Sequence, residues 1–440
     1  MTTFAAMASD STFQRLPGFR DFLPEELSLR SEIFEAWRRV SRRYGFQEYD
    51  GPPLEPLDLY TEKSGEEIVE QLYHFEDKGG REVALRPEMT PSMARILGAH
   101  SRSMSKPIRW FSIPQLFRYE RQQRGRLREH FQWNVDVVGE ADVGADAEVL
   151  AVAIDGLREL GLGAGDFRAR ISDRRLLAEL LRVRGVPDEN LTPVFSVVDK
   201  MEREPRDRVE ERLRDDVGLP METVEGVLNL FDEPRLDRVL DEHGDREEVS
   251  REAERIGECL EILDHLGFGE YVEVDLTIVR GLAYYTGIVF ELFDREGELR
   301  AICGGGRFDG LLEKVGGGES LPAVGFGMGD VVLSELLRDK GLAEGEEPGV
   351  DLYVVAITPE EKELALRVAQ AQRARDRSVV YALGSDSVRK QFGHASARDA
   401  REVIVLGPDE VERGRAVVRD MTSGDEREVD LTELLEDGGA

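Results

Sequence analysis

At 440 residues, the chain exceeds what one ordinary hydrophobic core holds, so two or three domains are expected. Its 90 acidic residues against 58 basic ones give a formal net charge of -32, which argues against an RNA partner, because phosphates demand a basic face, unless the medium is salty and the basic residues cluster. No run of about 18 or more apolar residues occurs, which excludes a membrane-spanning helix, and Cys259 and Cys303 are too few for a disulfide scaffold and suit a reducing compartment.

Of the basic residues 8 are Lys and 50 are Arg. An acidic, Lys-poor surface suits a halophilic protein that stays hydrated in concentrated salt, where at about 1 M the Debye length shrinks to roughly 3 Å and self-repulsion is screened. A plain solvated acidic surface is the alternative. The histidines at 74, 100, 130, 243, 265 and 394 show no metal-ligand spacing and no CxxC is present, so no metal site made by the protein is expected. The segment Met1–Thr12 lacks the basic start and apolar stretch of a secretory signal, and a cytoplasmic protein is expected. The basic residues do concentrate once: Arg118, Arg121, Arg124, Arg126 and Arg128 fall within eleven residues.

In chain order, Ile33, Phe34, Trp37 and Val40 predict an amphipathic helix over 25–44. Gly51-Pro52-Pro53 ends an extended segment. Residues 72–87 alternate as a hairpin with Asp77-Lys78-Gly79-Gly80 as its turn. Thr90-Pro91 reads as a helix start, Thr90 capping and Pro91 in the first helical position. Two strands joined by the Arg-rich loop 121–126 are predicted over 107–139, then a helix over 146–160. Residues 174–266 are dense in Arg, Asp and Glu with apolar residues at helical spacing, and predict a helical insertion. Strands return at 272–279 and 287–293, followed by a Gly-rich stretch at 304–319. The Gly-Glu run at 341–349 reads as a linker, and beyond it the apolar segments 352–356, 378–383 and 402–406 alternate with helices as a small α/β domain.

The second strand of the 107–139 pair sorts into two faces. Phe131, Trp133, Val135 and Val137 point one way with Glu129; Arg128, His130, Gln132, Asn134 and Asp136 point the other. Arg118 and Glu120 share a face of the first strand. A solvated hairpin laced with salt bridges would look similar. The specific mixture of donors and acceptors, in place of Lys and Glu, favours a sheet floor that binds a polyphosphate and a small polar substrate. His130 reads as a structural hydrogen bonder. Gly325-Phe326-Gly327-Met328-Gly329 is no dinucleotide fingerprint, because Asp330 stands where the third glycine belongs. Gly304-Gly305-Gly306 reads as a close backbone approach to a bound substrate.

FRYE at 117–120, the loop, and GRLREHFQWNVDVVG at 125–139 resemble motif 2 of class II aminoacyl-tRNA synthetases in its histidyl-tRNA synthetase version. LRPEMT (85–90) resembles that family's LRPExT, VRGLAYYTG (279–287) its VRGLDYYTG, and GGGRFDGL (304–311) its GGRYDGL. Pro52 stands where motif 1 would lie and AVGFGMGD (323–330) where motif 3 would. KQFGHASARDAREVIVLG (390–407) resembles the family's anticodon-binding domain. The match runs from about Leu16 to the end.

The resemblance implies an α+β fold: a class II catalytic domain with a mainly antiparallel sheet, in two parts at 13–173 and 267–335. A helical insertion at 174–266 interrupts it, and a C-terminal α/β anticodon-binding domain covers 349–440. It implies a ligase that makes histidyl-adenylate from L-histidine and ATP with Mg²⁺, then esterifies tRNA(His), as a homodimer away from membranes. Carried over by position, Arg118 and Arg280 are catalytic on the α-phosphate. Arg118, Glu120 and Arg126 bind ATP, and no residue is assigned to a metal. Glu88 and Thr90 take the histidine ammonium and Gln132 its carboxylate side. Asp136 and Tyr285 take the two imidazole nitrogens, with Tyr284 also in the histidine site. Arg389, Lys390 and Arg398 face the anticodon or are ordinary helix-surface charges.

Two fixed guanidiniums suit charge building on the non-bridging oxygens during attack at the α-phosphorus. A carboxylate and a phenol aimed at imidazole reject analogues that would leave them unpaired. Three positions depart from the family pattern: Ala283 for Asp, Phe308 for Tyr, and Val332 for the Arg that ends motif 3 and holds the γ-phosphate. Asp136 replaces a Glu of many relatives, with shorter reach. The alternative is a non-catalytic regulatory subunit of ATP phosphoribosyltransferase, or an RNA-sensing paralogue.

Overall fold

The computed structural model describes residues 13–61, 71–121, 123–201, 204–232, 234–280, 284–296, 299–317, 319–343 and 349–436; the segment Met1–Thr12 and most of the Gly-Glu run lie outside them. The chain divides into two compact units, Met1–Glu344 and Gly345–Ala440. No described helix is long and apolar enough to cross a membrane.

The first unit contains, among the described residues, the strands β1 (Gln47–Glu48), β2 (Leu54–Pro56), β3 (His74–Glu76), β4 (Glu82–Leu85), β5 (Ile108–Ser112), β6 (Gln115–Phe117), β7 (Glu129–Val138), β8 (Phe167–Asp173), β9 (Val272–Val274), β10 (Ile288–Asp294), β11 (Cys303–Arg307) and β12 (Ala323–Gly329). Nine of them form one sheet in the order β1-β5-β7-β12-β11-β10-β8-β9, with β6 also paired to β7; β2, β4 and β3 form a small separate sheet. Pairing is antiparallel throughout the centre of the large sheet and parallel only at its two ends, β1 with β5 and β8 with β9.

Strand alternation decides which face is dry. Trp133, Val135 and Val137 of β7, Phe290 and Leu292 of β10, and Val324, Phe326 and Met328 of β12 all enter one core. The helices Pro24–Arg43, Gly144–Arg158, Glu247–His265 and Asp330–Asp339 supply the other half of it. Trp37 stacks on Trp133 with ring centroids 5.8 Å apart, and the Trp133 indole donates to Ser41 Oγ at 3.0 Å. Such an aromatic pair adds about 0.5–1.5 kcal/mol beyond its buried area. The opposite face carries His130, Gln132, Asn134 and Asp136 with the glycines of β11 and β12 beside them. A smaller apolar cluster, including Met93, Leu97, Tyr285, Phe308 and Leu312, seats the helices Thr90–His100 and Leu311–Gly316 against that face.

The structure adjusts several boundaries. The stretch read as one strand from 107 breaks into β5 and β6 at Ile113-Pro114, where proline has no N–H for the ladder. β6 ends at Phe117, so Arg118 and Glu120 lie past the strand, although Arg118 N still donates to Arg128 O at 2.9 Å. The helix at 90 begins one residue earlier than read: Met89 is its cap residue, Thr90 is already helical, and no side chain caps it. Only 272–274 of the expected strand 272–279 pairs; Leu276 and Val279 turn instead into the helical core. Between Arg174 and His265 the described elements are all helical, and they enclose an apolar cluster of their own around Leu177, Leu181, Val194, Val224, Phe231 and Ile256.

The second unit is built on β13 (Leu352–Ala356), β14 (Val379–Tyr381), β15 (Glu402–Leu406), β16 (Arg415–Asp420) and β17 (Glu426–Asp430) in the order β14-β13-β15-β16-β17. β13 pairs in parallel with β14 and β15, and β15, β16 and β17 are antiparallel. The last two strands went unread because their sequence is largely charged, and every β17 side chain except Val429 is exposed.

Candidate active site

β7 supplies the floor. Asp136 is buried at 5% exposure and has no hydrogen-bond partner among the described residues, so burial pushes its carboxyl up to about 8. It lies opposite Gly325 of β12, where an added Cβ would meet Asp136 Oδ1 at 2.2 Å. Two residues along, a Cβ on Gly327 would meet the Gln132 amide at 2.6 Å. These glycines therefore leave room for the two polar side chains to lie across the neighbouring strand. That is why glycine alternates with Val324, Phe326 and Met328 along β12.

Glu88, Thr90, Arg118, Tyr284 and Tyr285 gather on this same face. Glu88 is buried, and burial raises its carboxyl while Arg118 and the Tyr284 hydroxyl pull it back; Tyr284 donates to Glu88 Oε2 at 3.4 Å. Thr90 lies close enough to the same Tyr284 hydroxyl to offset a little of the upward shift that burial gives it. Arg118 Nε donates to Pro87 O at 2.9 Å, which ties the segment before Glu88 to the end of β6. Tyr284 packs on Tyr285 at 5.0 Å and edge-on to Phe308 at 5.9 Å. Burial raises both tyrosine hydroxyls, so they remain donors at neutral pH. Ala283 lies outside the described residues.

Arg280 adopts a left-handed backbone at φ +56°, unusual for a residue with a Cβ. Its guanidinium lies across Gly304, where a Cβ would fall 2.4 Å from Nη1, and it is paired with Glu291. Glu291 is the cross-strand partner of Gly304, so the carboxylate and the gap that receives the guanidinium are one register pair. Burial pulls the Arg280 guanidinium down, but Glu291 and Tyr285 outweigh it and the net shift is upward. The glycines at 304–306 thus approach the Arg280 side chain and the neighbouring strands: Gly305 faces Gly325 O, and Gly306 faces Ile288 O.

Glu120 and Arg126 pair across the base of the Arg-rich loop. His130 stands among cations. Burial first, then Arg118, Arg20 and Arg126, pull its imidazole down to about 3, so it is neutral in any physiological medium. Two holding residues were not read from the sequence. Glu291 is one. The other is Arg20, which grips Glu129 at 2.7 Å and Asp330 at 2.9 Å. Asp330 in turn accepts from Phe131 N at 2.8 Å. The only sequence signal was Glu129, a carboxylate on the otherwise apolar face of β7, which needs a buried cation. Among the described residues no group of three His, Cys, Asp or Glu side chains could cage a metal ion.

A family model described as histidyl-tRNA synthetase matches residues 18–330, and one described as an anticodon binding domain matches residues 351–437. The histidine–tRNA ligase of Opitutus terrae is 42% identical over 95% of this chain and 96% of its own. That of Halorubrum lacusprofundi is 41% identical over 97% of this chain and 98% of its own. Among solved structures, histidyl-tRNA synthetase from Nostoc sp. PCC 7120 superposes with a TM-score of 0.79 over 96% of this chain and 99% of that one, at 24% identity. A Bacillus halodurans protein described as an ATP phosphoribosyltransferase regulatory subunit/histidyl-tRNA synthetase reaches 0.71 over 90% and 98%, also at 24% identity. At such identities these structures establish the fold.

Proposed function

The chain belongs to the histidyl-tRNA synthetase family and is a histidine–tRNA ligase, and from that premise we propose how its own residues carry the reaction. Histidine lies on the floor of β7, its ammonium at Glu88 and Thr90, its carboxylate beside Gln132, and its imidazole between Asp136 and Tyr285, with Tyr284 bracing Glu88. ATP enters along Glu120 and Arg126 with its α-phosphate between Arg118 and Arg280. The histidine carboxylate attacks the α-phosphorus, the bond to the β-phosphate oxygen breaks, and pyrophosphate leaves. Arg118 and Arg280 stabilise charge on the non-bridging oxygens from fixed positions, one tied to Pro87 O and the other to Glu291, so little reorganisation is needed. The 3′ end of tRNA then takes the histidine from the adenylate. The C-terminal unit reads the anticodon, with Arg389 and Arg398 as candidate contacts; Lys390 is already paired with Asp386 at 2.6 Å.

Among the described residues no cluster of side chains cages Mg²⁺. That ion needs few protein ligands when phosphates and water supply the rest, and it would arrive on ATP. The enzyme works as a cytoplasmic homodimer, and the acidic, Lys-poor surface adapts it to high salt, a reading supported by its relatives in halophiles.

The observation that carries this reading is the cluster of Glu88, Tyr284, Tyr285, Arg118 and Arg280 over the sheet whose polar face holds the buried Asp136, unpaired among the described residues. The test is histidine-dependent exchange between pyrophosphate and ATP, without tRNA, from roughly 0.1 to 3 M KCl, a range that brackets complete screening. Exchange with histidine alone among amino acids, rising with salt, is expected. Arg280→Gln should lower it by about 10²–10³-fold. No exchange at any salt from folded protein would leave the regulatory reading.

A further inference from the structure

The tip of the Arg-rich loop does not hang free in this structure. Gln123 and Arg126 close a tight turn, with backbone bonds of 3.1 and 3.0 Å in the two directions, and Arg124-Gly125 form its tip. Three residues on one stripe of the helix Asp330–Asp339 meet that tip. Glu335 takes it with both carboxylate oxygens: Arg124 Nε donates to Oε2 at 3.2 Å and Gly125 N to Oε1 at 3.1 Å. Asp339 accepts from Arg124 Nη2 at 2.9 Å. Val332 sits beneath Gly125, 3.1 Å from where a Cβ would stand, and Gly125 has φ +72°. The spacing 332, 335, 339 is that of one helix face, and the start of this helix is itself fixed, Asp330 being bound by Arg20 and by Phe131 N.

We infer that Glu335, with Val332 and Asp339, is a latch that seats the loop tip, and that Glu335 is therefore a positioning residue for ATP. This rests on the reading that ATP lies along Glu120 and Arg126. The pair Glu120–Arg126 stands at the base of the same turn, so fixing the tip fixes where Arg126 presents itself. A two-point carboxylate grip on a guanidinium and a backbone N–H specifies orientation as well as distance. Val332 takes part by being small and apolar: a long cation there would displace Gly125. The helix thus seats the loop, and the loop supplies the charge.

The experiment compares Glu335→Ala and Glu335→Gln with the parent and with Arg338→Ala, a control on the same helix. The readouts are steady-state pyrophosphate exchange and hydrogen–deuterium exchange of the peptide spanning 121–126. For Glu335→Ala the KM for ATP is expected to rise about tenfold with kcat and the histidine KM within about twofold, the pattern of lost positioning in ATP binding alone. Amide protection of the loop is lost in parallel. Glu335→Gln keeps one acceptor for Gly125 N and should fall between; Arg338→Ala should match the parent. An unchanged ATP KM and unchanged loop protection in Glu335→Ala, from an active parent, would overturn the latch. So would a fall in kcat with ATP KM unaltered. If the parent itself shows no histidine-dependent exchange, the functional reading fails, while loop protection still decides whether the latch exists.

Discussion

The charges buried against the large sheet and those of the helical segment 174–265 obey different rules. In the helical segment, ion pairs such as Arg182–Glu179, Arg208–Glu211 and Arg238–Glu242 join residues one helical turn apart on exposed surface. Any sequence that makes the helix brings them together, and each contributes little in water and less in salt. Against the apolar face of the sheet the partners are remote in sequence: Arg20 reaches Glu129 across 109 residues and Asp330 across 310. These pairs exist only in the complete fold and are largely shut away from counterions. Salt and mutation should therefore act on the two regions in opposite proportion. The surface tolerates loss of a partner, and the interior does not.

The largest expected effect tests the interior. Arg20→Met leaves Glu129 and Asp330, each 1% exposed, without their cation, and should cost about 3–5 kcal/mol of stability. Guanidinium titration at fixed salt measures it; a cost below about 1 kcal/mol would mean that the pairing is ornamental. Next comes Asp136. In the folded chain its carboxyl titrates at about 8, against about 3.9 when unfolded. The folded state thus holds a proton that the unfolded state has lost between those values. Stability should fall as pH rises through about 4 to 8 and level off above that. Asp136→Asn should flatten the slope, read as denaturant midpoints at pH 5 and pH 8. The smallest effect sharpens the other side: Arg208→Gln should leave the midpoint unmoved at any salt. A clear loss would show that the helical surface depends on its pairs after all.

Much of the site was legible because strand alternation is a local rule. The polar face of β7 needed only period-2 reading, and the strands at 352–356 and 402–406 only the recognition of short apolar runs. The break at Pro114 was also written in the sequence, since proline interrupts a ladder. What could not be read was pairing. Nothing near position 280 announces that Glu291 will hold Arg280, because the register between β10 and β11 is set by the whole sheet. Likewise Glu335 looks like an ordinary helix-surface acid until the loop tip is folded onto it. The strands at 415–430 were hidden for the opposite reason: a charged, exposed edge carries no apolar period.

The alternation of small and large residues along β12 has a consequence for how the protein tolerates changes in length. Because glycine sits opposite Asp136 and beside Gln132 while Val324, Phe326 and Met328 enter the core, the strand reads correctly in one frame only. Removing a residue at the start of the strand would turn all three bulky side chains onto the polar face of the sheet and expose the core to glycine. Deletions within 323–329 should thus abolish folding and function together.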